Sequence, residues 1–189
     1  LPSAAGTPAI IKAMRTDPNV GAASGNLYVA SPASKRGRHS TQTFPFDEIS
    51  NPTLDRSGYD TQNFDHALHL DQMAGVRRGA GAVVAVIDTG VDLTHPDLAG
   101  HFTTATDGSL IGLDLIDGGL PTDEIQVGKD TSAFGHGTFI SGLILKVAPE
   151  ARIMPIRAMG PDGVATSFDI ARAIQFAVEN GADVINMSF

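Results

Sequence analysis

The amino-acid sequence predicts an α/β protein: a doubly wound, mostly parallel sheet with helices on both faces. Three observations carry this reading. Val83-Val84-Ala85-Val86-Ile87 is an unbroken, mostly β-branched apolar run, as suits a central strand buried on both faces of a parallel sheet. Segments of helical period follow at about 135–146 and 166–180. Further strand-like segments at 151–159 and 184–189 alternate with them. An alternation of strand, helix, strand, helix, strand implies right-handed parallel crossovers within one layer.

Composition narrows the class. A chain of 189 residues can bury a real core, and one domain with an appendage is the natural division. There is no cysteine, so no disulfide holds the chain. No apolar run approaches the ~20 residues of a membrane span. The net charge of −8 is unevenly placed. Residues 1–80 carry 8 Lys/Arg against 7 Asp/Glu (+1), and residues 81–189 carry 5 against 14 (−9). An acidic second half argues against nucleic-acid binding, which needs a basic face. The chain shows no signal peptide and does not begin with Met, so the expectation is a removed targeting segment or a start within a precursor.

Taken in order, Pro8 to Met14 has helical spacing with Pro at its start. Asp17-Pro18-Asn19 is a turn, and Leu27-Tyr28-Val29 reads as a short strand. Ser31 to Ser50, with Ser34-Lys35-Arg36-Gly37-Arg38-His39, has no periodicity and reads as a solvated linker of the kind where nicking concentrates. Asn51 to Gln62 stays loop-like. Asp65 to Ala74 reads as a helix. Its His66 and His69 stand i, i+3, but no third metal ligand is evident and they read as surface histidines.

After the central strand, Asp88 stands at the carboxyl end, where open α/β sheets place their chemistry, and Thr89-Gly90 turns the chain away. Leu98 to Asp130 is irregular and carries Asp107, Asp114, Asp117, Asp123, Glu124 and Asp130. Such a loop can hold calcium, a hard cation that takes oxygen ligands. The spacing matches no compact calcium loop, so a solvated acidic loop is preferred. From Gly135 a helix runs to about Lys146. Ala151 to Met159 is the next strand, in which Pro155 is awkward because it donates no ladder hydrogen bond and favours edges or bulges. Gly160-Pro161-Asp162-Gly163 is a turn. Thr166 or Ser167 caps the next helix, Asp169 stands at capping-box spacing from Thr166, and Gly181 ends it. Val184 to Phe189 is the last strand.

The segments VAVIDTGVDLTHPDL, GHGT at 135–138 and the final VINMS together resemble the subtilisin-like serine peptidases, over about residues 77–189 in unbroken order. The resemblance implies a subtilisin-like sheet, here truncated at the C-terminus. It also makes Asp88 and His136 the acid and base of an Asp-His-Ser triad, with the serine and the oxyanion-hole Asn beyond Phe189. Serine hydrolysis needs a base near the hydroxyl and a carboxylate to orient it, and an imidazole titrating near neutrality suits the first role. By the same likeness Gly163, Val164 and Ala165 form an exposed strand that pairs with a substrate backbone, and Ser188 matches the strand on its other side. Ala165 replaces a common Gly. Ser167 stands where a Tyr often lines a pocket.

The likeness divides the chain into a prodomain tail (1–30), a linker (31–62) and the N-terminal part of the catalytic domain (63–189). Many members carry a second His where this chain has Phe139. Many also interrupt the following helix with a calcium loop, whereas here Val147-Ala148-Pro149 follows directly.

The expected protein is a secreted or periplasmic zymogen acting on proteins or peptides, with no required cofactor or metal, no nucleic acid and no membrane span. It would need the remainder of its own catalytic domain as a partner. The 189 residues alone should show no turnover and fold poorly, because a parallel sheet cut at Phe189 leaves an apolar edge. Two alternatives stand beside this: an inactive binding or inhibitory fragment, and an aspartic-type peptidase using Asp88 from each of two copies.

Overall fold

A computed structural model describes residues 11–12, 15–16, 18, 27–30, 69–70, 78–122 and 132–189 of the chain. The linker at 31–62, His66, most of the helix expected at 65–74, and Asp123, Glu124 and Asp130 lie outside the described residues. The ordered elements are β1 (Tyr28–Ala30), β2 (Val83–Asp88), β3 (Leu113–Asp114), α1 (His136–Val147), β4 (Arg152–Arg157), β5 (Val164–Thr166), α2 (Ser167–Glu179) and β6 (Val184–Asn186).

The α/β class is as expected. Among the described residues four strands form one sheet in the order β3-β4-β2-β6, all parallel. β2 lies inside it, with Val83 to Asp88 paired one-to-one with Arg152 to Arg157 and Val84 to Val86 paired with Val184 to Asn186. Successive strand residues point to opposite faces, and the core divides accordingly. Val84, Val86 and Ile153 face Ile140, Ile144 and Leu145 of α1. Ala85, Ile87, Met154 and Ile156 face Ile170, Ala173 and Ala177 of α2. The central strand is apolar without a break because both of its faces are covered. Each fully buried Val or Ile contributes about 1.5–3 kcal/mol of transfer free energy.

Pro155 corrects an expectation. It is not at an edge: it is buried in β4, between β3 and β2. The backbone N–H of Arg152 donates to Ala82 on the β2 side, and that of Ile153 donates to His101 on the other side. By strict alternation the donor-less nitrogen of Pro155 faces away from β2. There it meets a gap between the Phe102–Ile153 bridge and the Leu113–Ile156 pair. Gly112 fills this gap, where an added Cβ would stand 2.8 Å from the Pro155 carbonyl oxygen and 3.2 Å from its ring. A proline is tolerated in an interior strand because the ladder skips its position.

The helix ends follow their sequence signals. Gly135 precedes α1 in the left-handed region at φ 83°. The Thr166 hydroxyl caps α2 by accepting the Asp169 N–H at 3.1 Å and donates to the Asp169 carboxylate at 2.6 Å. The irregular region 98–130 hides β3, a strand of two residues, too short for any periodicity to reveal. The last strand is shorter than expected and ends at Asn186.

Candidate active site

Parallel strands deliver their carboxyl ends to one edge of the sheet, and Asp88 is the last residue of β2. Its backbone is fixed by β4: the N–H groups of Ala158 and Met159 both donate to the Asp88 carbonyl, at 2.9 and 3.1 Å. Its side chain is 1% exposed. The Thr89 N–H donates to Oδ1 at 2.7 Å.

His136 is the first residue of α1 and lies directly against this carboxylate. Its Nδ1 is 2.8 Å from both Oδ1 and Oδ2 of Asp88. The tautomer that satisfies this contact carries its proton on Nδ1 and donates it to the carboxylate. That leaves the Nε2 lone pair turned away from Asp88, able to accept a proton from a hydroxyl.

Glycine and threonine set the approach of helix to strand. The Gly137 N–H donates to the Thr89 hydroxyl at 3.3 Å, and the Asp92 N–H donates to the Thr138 hydroxyl at 2.9 Å. A Cβ on Gly137 would fall well inside the van der Waals surface of the Gly90 carbonyl oxygen and 3.1 Å from the Asp88 Cβ. Glycine at 137 is therefore a condition for the Asp88–His136 contact. In the full-length gene product Gly137→Ala is expected to cost about 1–3 kcal/mol by overpacking. Urea unfolding reads that loss, and proton NMR should show the downfield His136 Nδ1–H resonance weakened or lost.

Two serines near these motifs, Ser141 and Ser188, make hydrogen bonds within their own segments. Ser141 is fully buried and donates to the Gly137 carbonyl at 2.8 Å. Ser188 accepts from the Asn186 side-chain amide at 2.9 Å. Ser188 lies two residues past the last β2–β6 pair, at the same sheet edge as Asp88, but outside any strand.

Gly163 occupies the left-handed region at φ 70° and closes the turn with Gly160. Val164 and Ala165 then form β5. The edge of β5 is occupied: β1 pairs with it antiparallel, Tyr28 with Thr166, Val29 with Ala165 and Ala30 with Val164. Sequence reasoning had β1 and β5 separately and had no means of joining them across more than 130 residues. The backbone ties this region to His136, since the Ala133 N–H, just before α1, donates to the Pro161 carbonyl at 3.0 Å.

The region read as a solvated acidic loop contains one buried carboxylate, Asp114. Asp114 and Asp117 both accept from Nη1 of the buried Arg157, at 2.9 and 2.8 Å. Burial alone would lower the Arg157 pKa. The hydrogen bonds and charges of Asp114 and Asp117 outweigh it and hold the guanidinium above its ordinary value. Asp107 accepts from Ser109, which holds its carboxyl below the usual range. Among the described residues no three His, Cys, Asp or Glu side chains gather as a metal cluster.

A buried carboxylate–imidazole pair at the carboxyl edge of a parallel α/β sheet is an arrangement that can orient a general base. Likeness to known proteins gives the family. The Subtilase family (Peptidase_S8) model matches residues 79–189, and the chain belongs to this family. It is 36% identical over 117 residues to the minor extracellular protease Vpr of Bacillus subtilis (strain 168), covering 58% of this chain and 14% of that protein. It is 36% identical over 132 residues to the thermophilic serine proteinase of Bacillus sp. (strain AK1), covering 64% and 29%. It is 33% identical over 124 residues to the intracellular serine protease of Paenibacillus polymyxa, covering 59% and 33%. The chain thus spans a third or less of the length of these three relatives.

Proposed function

We propose that this chain is the N-terminal part of the catalytic domain of a serine endopeptidase. Asp88 orients and His136 acts as general base. The observation that carries the reading is the 2.8 Å contact between His136 Nδ1 and the buried Asp88 carboxylate. His136 Nε2 takes the proton of a serine hydroxyl as that oxygen attacks the peptide carbonyl, then gives it to the departing amine. Asp88 holds the ring's orientation and stabilises the imidazolium formed between those steps. The serine and the oxyanion hole come from the part of the subtilase domain outside these 189 residues, so the chain alone is inactive. No cofactor is required for this sequence of proton transfers.

The substrate is a protein or peptide segment that adds as a strand along β5, through Gly163, Val164 and Ala165, with Ser188 on its far side. Such pairing draws affinity from the backbone. Residues 1–30 are the tail of an inhibitory prodomain, 31–62 the cleavable linker and 63–189 the catalytic portion. The antiparallel seat of β1 on β5 supports this division, because it is where a substrate strand would lie. The product is a secreted or periplasmic zymogen. Among the described residues no helix is long and apolar enough to cross a membrane. The relatives' names include one extracellular and one intracellular protease, so fractionation of the source cells decides the compartment.

The test is fluorophosphonate labelling of the full-length gene product and of the 189-residue chain, with the labelled peptide located by mass spectrometry. Labelling of a serine beyond Phe189 in the full product, and none in the short chain, is the expected result. Peptide cleavage without labelling would assign Asp88 to other chemistry. Neither labelling nor cleavage would leave a binding fragment.

A further inference from the structure

Strand β5 ends at Thr166, and Ser167 is already the first residue of α2. The pairing with the N-terminal segment does not end there. The Ser167 N–H donates to the Leu27 carbonyl at 2.6 Å, and the Leu27 N–H donates to the Ser167 hydroxyl at 3.0 Å. In an antiparallel ladder, two facing residues of a hydrogen-bonded pair exchange N–H to C=O in both directions. A residue in the first turn of a helix keeps one half of this exchange, because its N–H has no partner inside the helix. It loses the other half, because its carbonyl turns along the helix axis toward the N–H four residues on. The hydroxyl of Ser167 replaces that lost carbonyl.

We propose that Ser167 is a specificity-determining residue of the peptidase: a two-point clamp that reads the backbone of an extended peptide one residue beyond β5. The proposal rests on the reading of β5 as the substrate strand. The side chains at the clamped end take little part, since Leu27 and Tyr28 are 68% and 75% exposed. Val29, one position further in, packs against the core instead. The clamp therefore selects for length and for a backbone N–H, not for a side chain. A peptide reaching the Leu27 position with an ordinary amide engages both points. One that carries proline or an N-methyl group there offers no donor and engages only one.

The experiment uses the full-length gene product with Ser167, Ser167→Ala and Ser167→Thr. Two peptides extend Leu-Tyr-Val-Ala in both directions, one with an ordinary Leu amide and one with N-methyl-Leu. Hydrogen exchange at the Leu27 amide is followed in the unprocessed protein. Ser167→Ala is expected to speed Leu27 exchange about tenfold and to lower kcat/KM on the ordinary peptide about fivefold, through KM, as loss of one hydrogen bond would. The N-methyl peptide should be unaffected, and Ser167→Thr should restore both readouts. Equal losses on the two peptides, or a Leu27 amide indifferent to Ser167, would overturn the clamp even if the enzyme cleaves well. Ser167-dependent protection of Leu27 in a protein that cleaves neither peptide would keep the clamp and remove the peptidase reading.

Discussion

Asp88→Asn in the full-length gene product is expected to lower kcat about 10⁴-fold at neutral pH while leaving KM for peptides nearly unchanged. The side chain is close in size, so β2 and its packing survive. The amide, however, offers a donor where the imidazole needs an acceptor. His136 meets Asp88 through Nδ1, at 2.8 Å from both carboxylate oxygens. An amide NH₂ at one of those positions favours the tautomer protonated on Nε2, which cannot accept the nucleophile's proton. His136→Ala should cost as much or more, and the double variant little beyond the worse single one, because the two residues act as a unit. Steady-state rates with active-site titration check this. Additive losses would mean that the two side chains serve separate steps.

The same pair shows what a sequence can reveal. Asp88 is legible because the five residues before it have no polar face, which only a doubly covered strand tolerates. His136 stood out through the resemblance of its Gly-His-Gly-Thr segment to the subtilisin-like peptidases, and Gly137 allows the helix to touch the Gly90 carbonyl. Both signals are local. Helices α1 and α2 were equally readable, α1 from its period and α2 from its period and its Thr166 cap.

What escaped was non-local or small. β3 has two residues. The joining of β1 to β5 depends on backbone edges, which carry no side-chain pattern. Ser167 read as a missing pocket wall, because its partner Leu27 lies 140 residues away. Pro155 looked misplaced because the gap in its ladder belongs to other segments, at Phe102 and Gly112.

Arg157 was the largest such omission, and it supports the second strong expectation. Arg157→Met is expected to destabilise the protein by about 3–5 kcal/mol, the usual cost of removing one partner from a buried ion pair. Arg157 and Asp114 side chains are each 1% exposed. Asp114 is otherwise satisfied at Oδ1, which accepts the N–H groups of Ile116 and Asp117 at 2.7 and 3.1 Å. Without the guanidinium, Oδ2 is a buried charge facing a thioether. Asp117 is 49% exposed on its side chain, so Asp117→Ala should cost less than about 1 kcal/mol. Urea unfolding of the three proteins measures the contrast; a small loss in Arg157→Met would mean that water or a rearranged loop replaces the guanidinium. The effect reaches the active site through the backbone. Arg157 is paired in register with Asp88, and the next two residues, Ala158 and Met159, donate to the Asp88 carbonyl. Loosening the end of β4 therefore loosens the carboxylate that holds His136. Arg157→Met should accordingly lose activity at a lower temperature than it loses helical signal, whereas Asp117→Ala should lose both together.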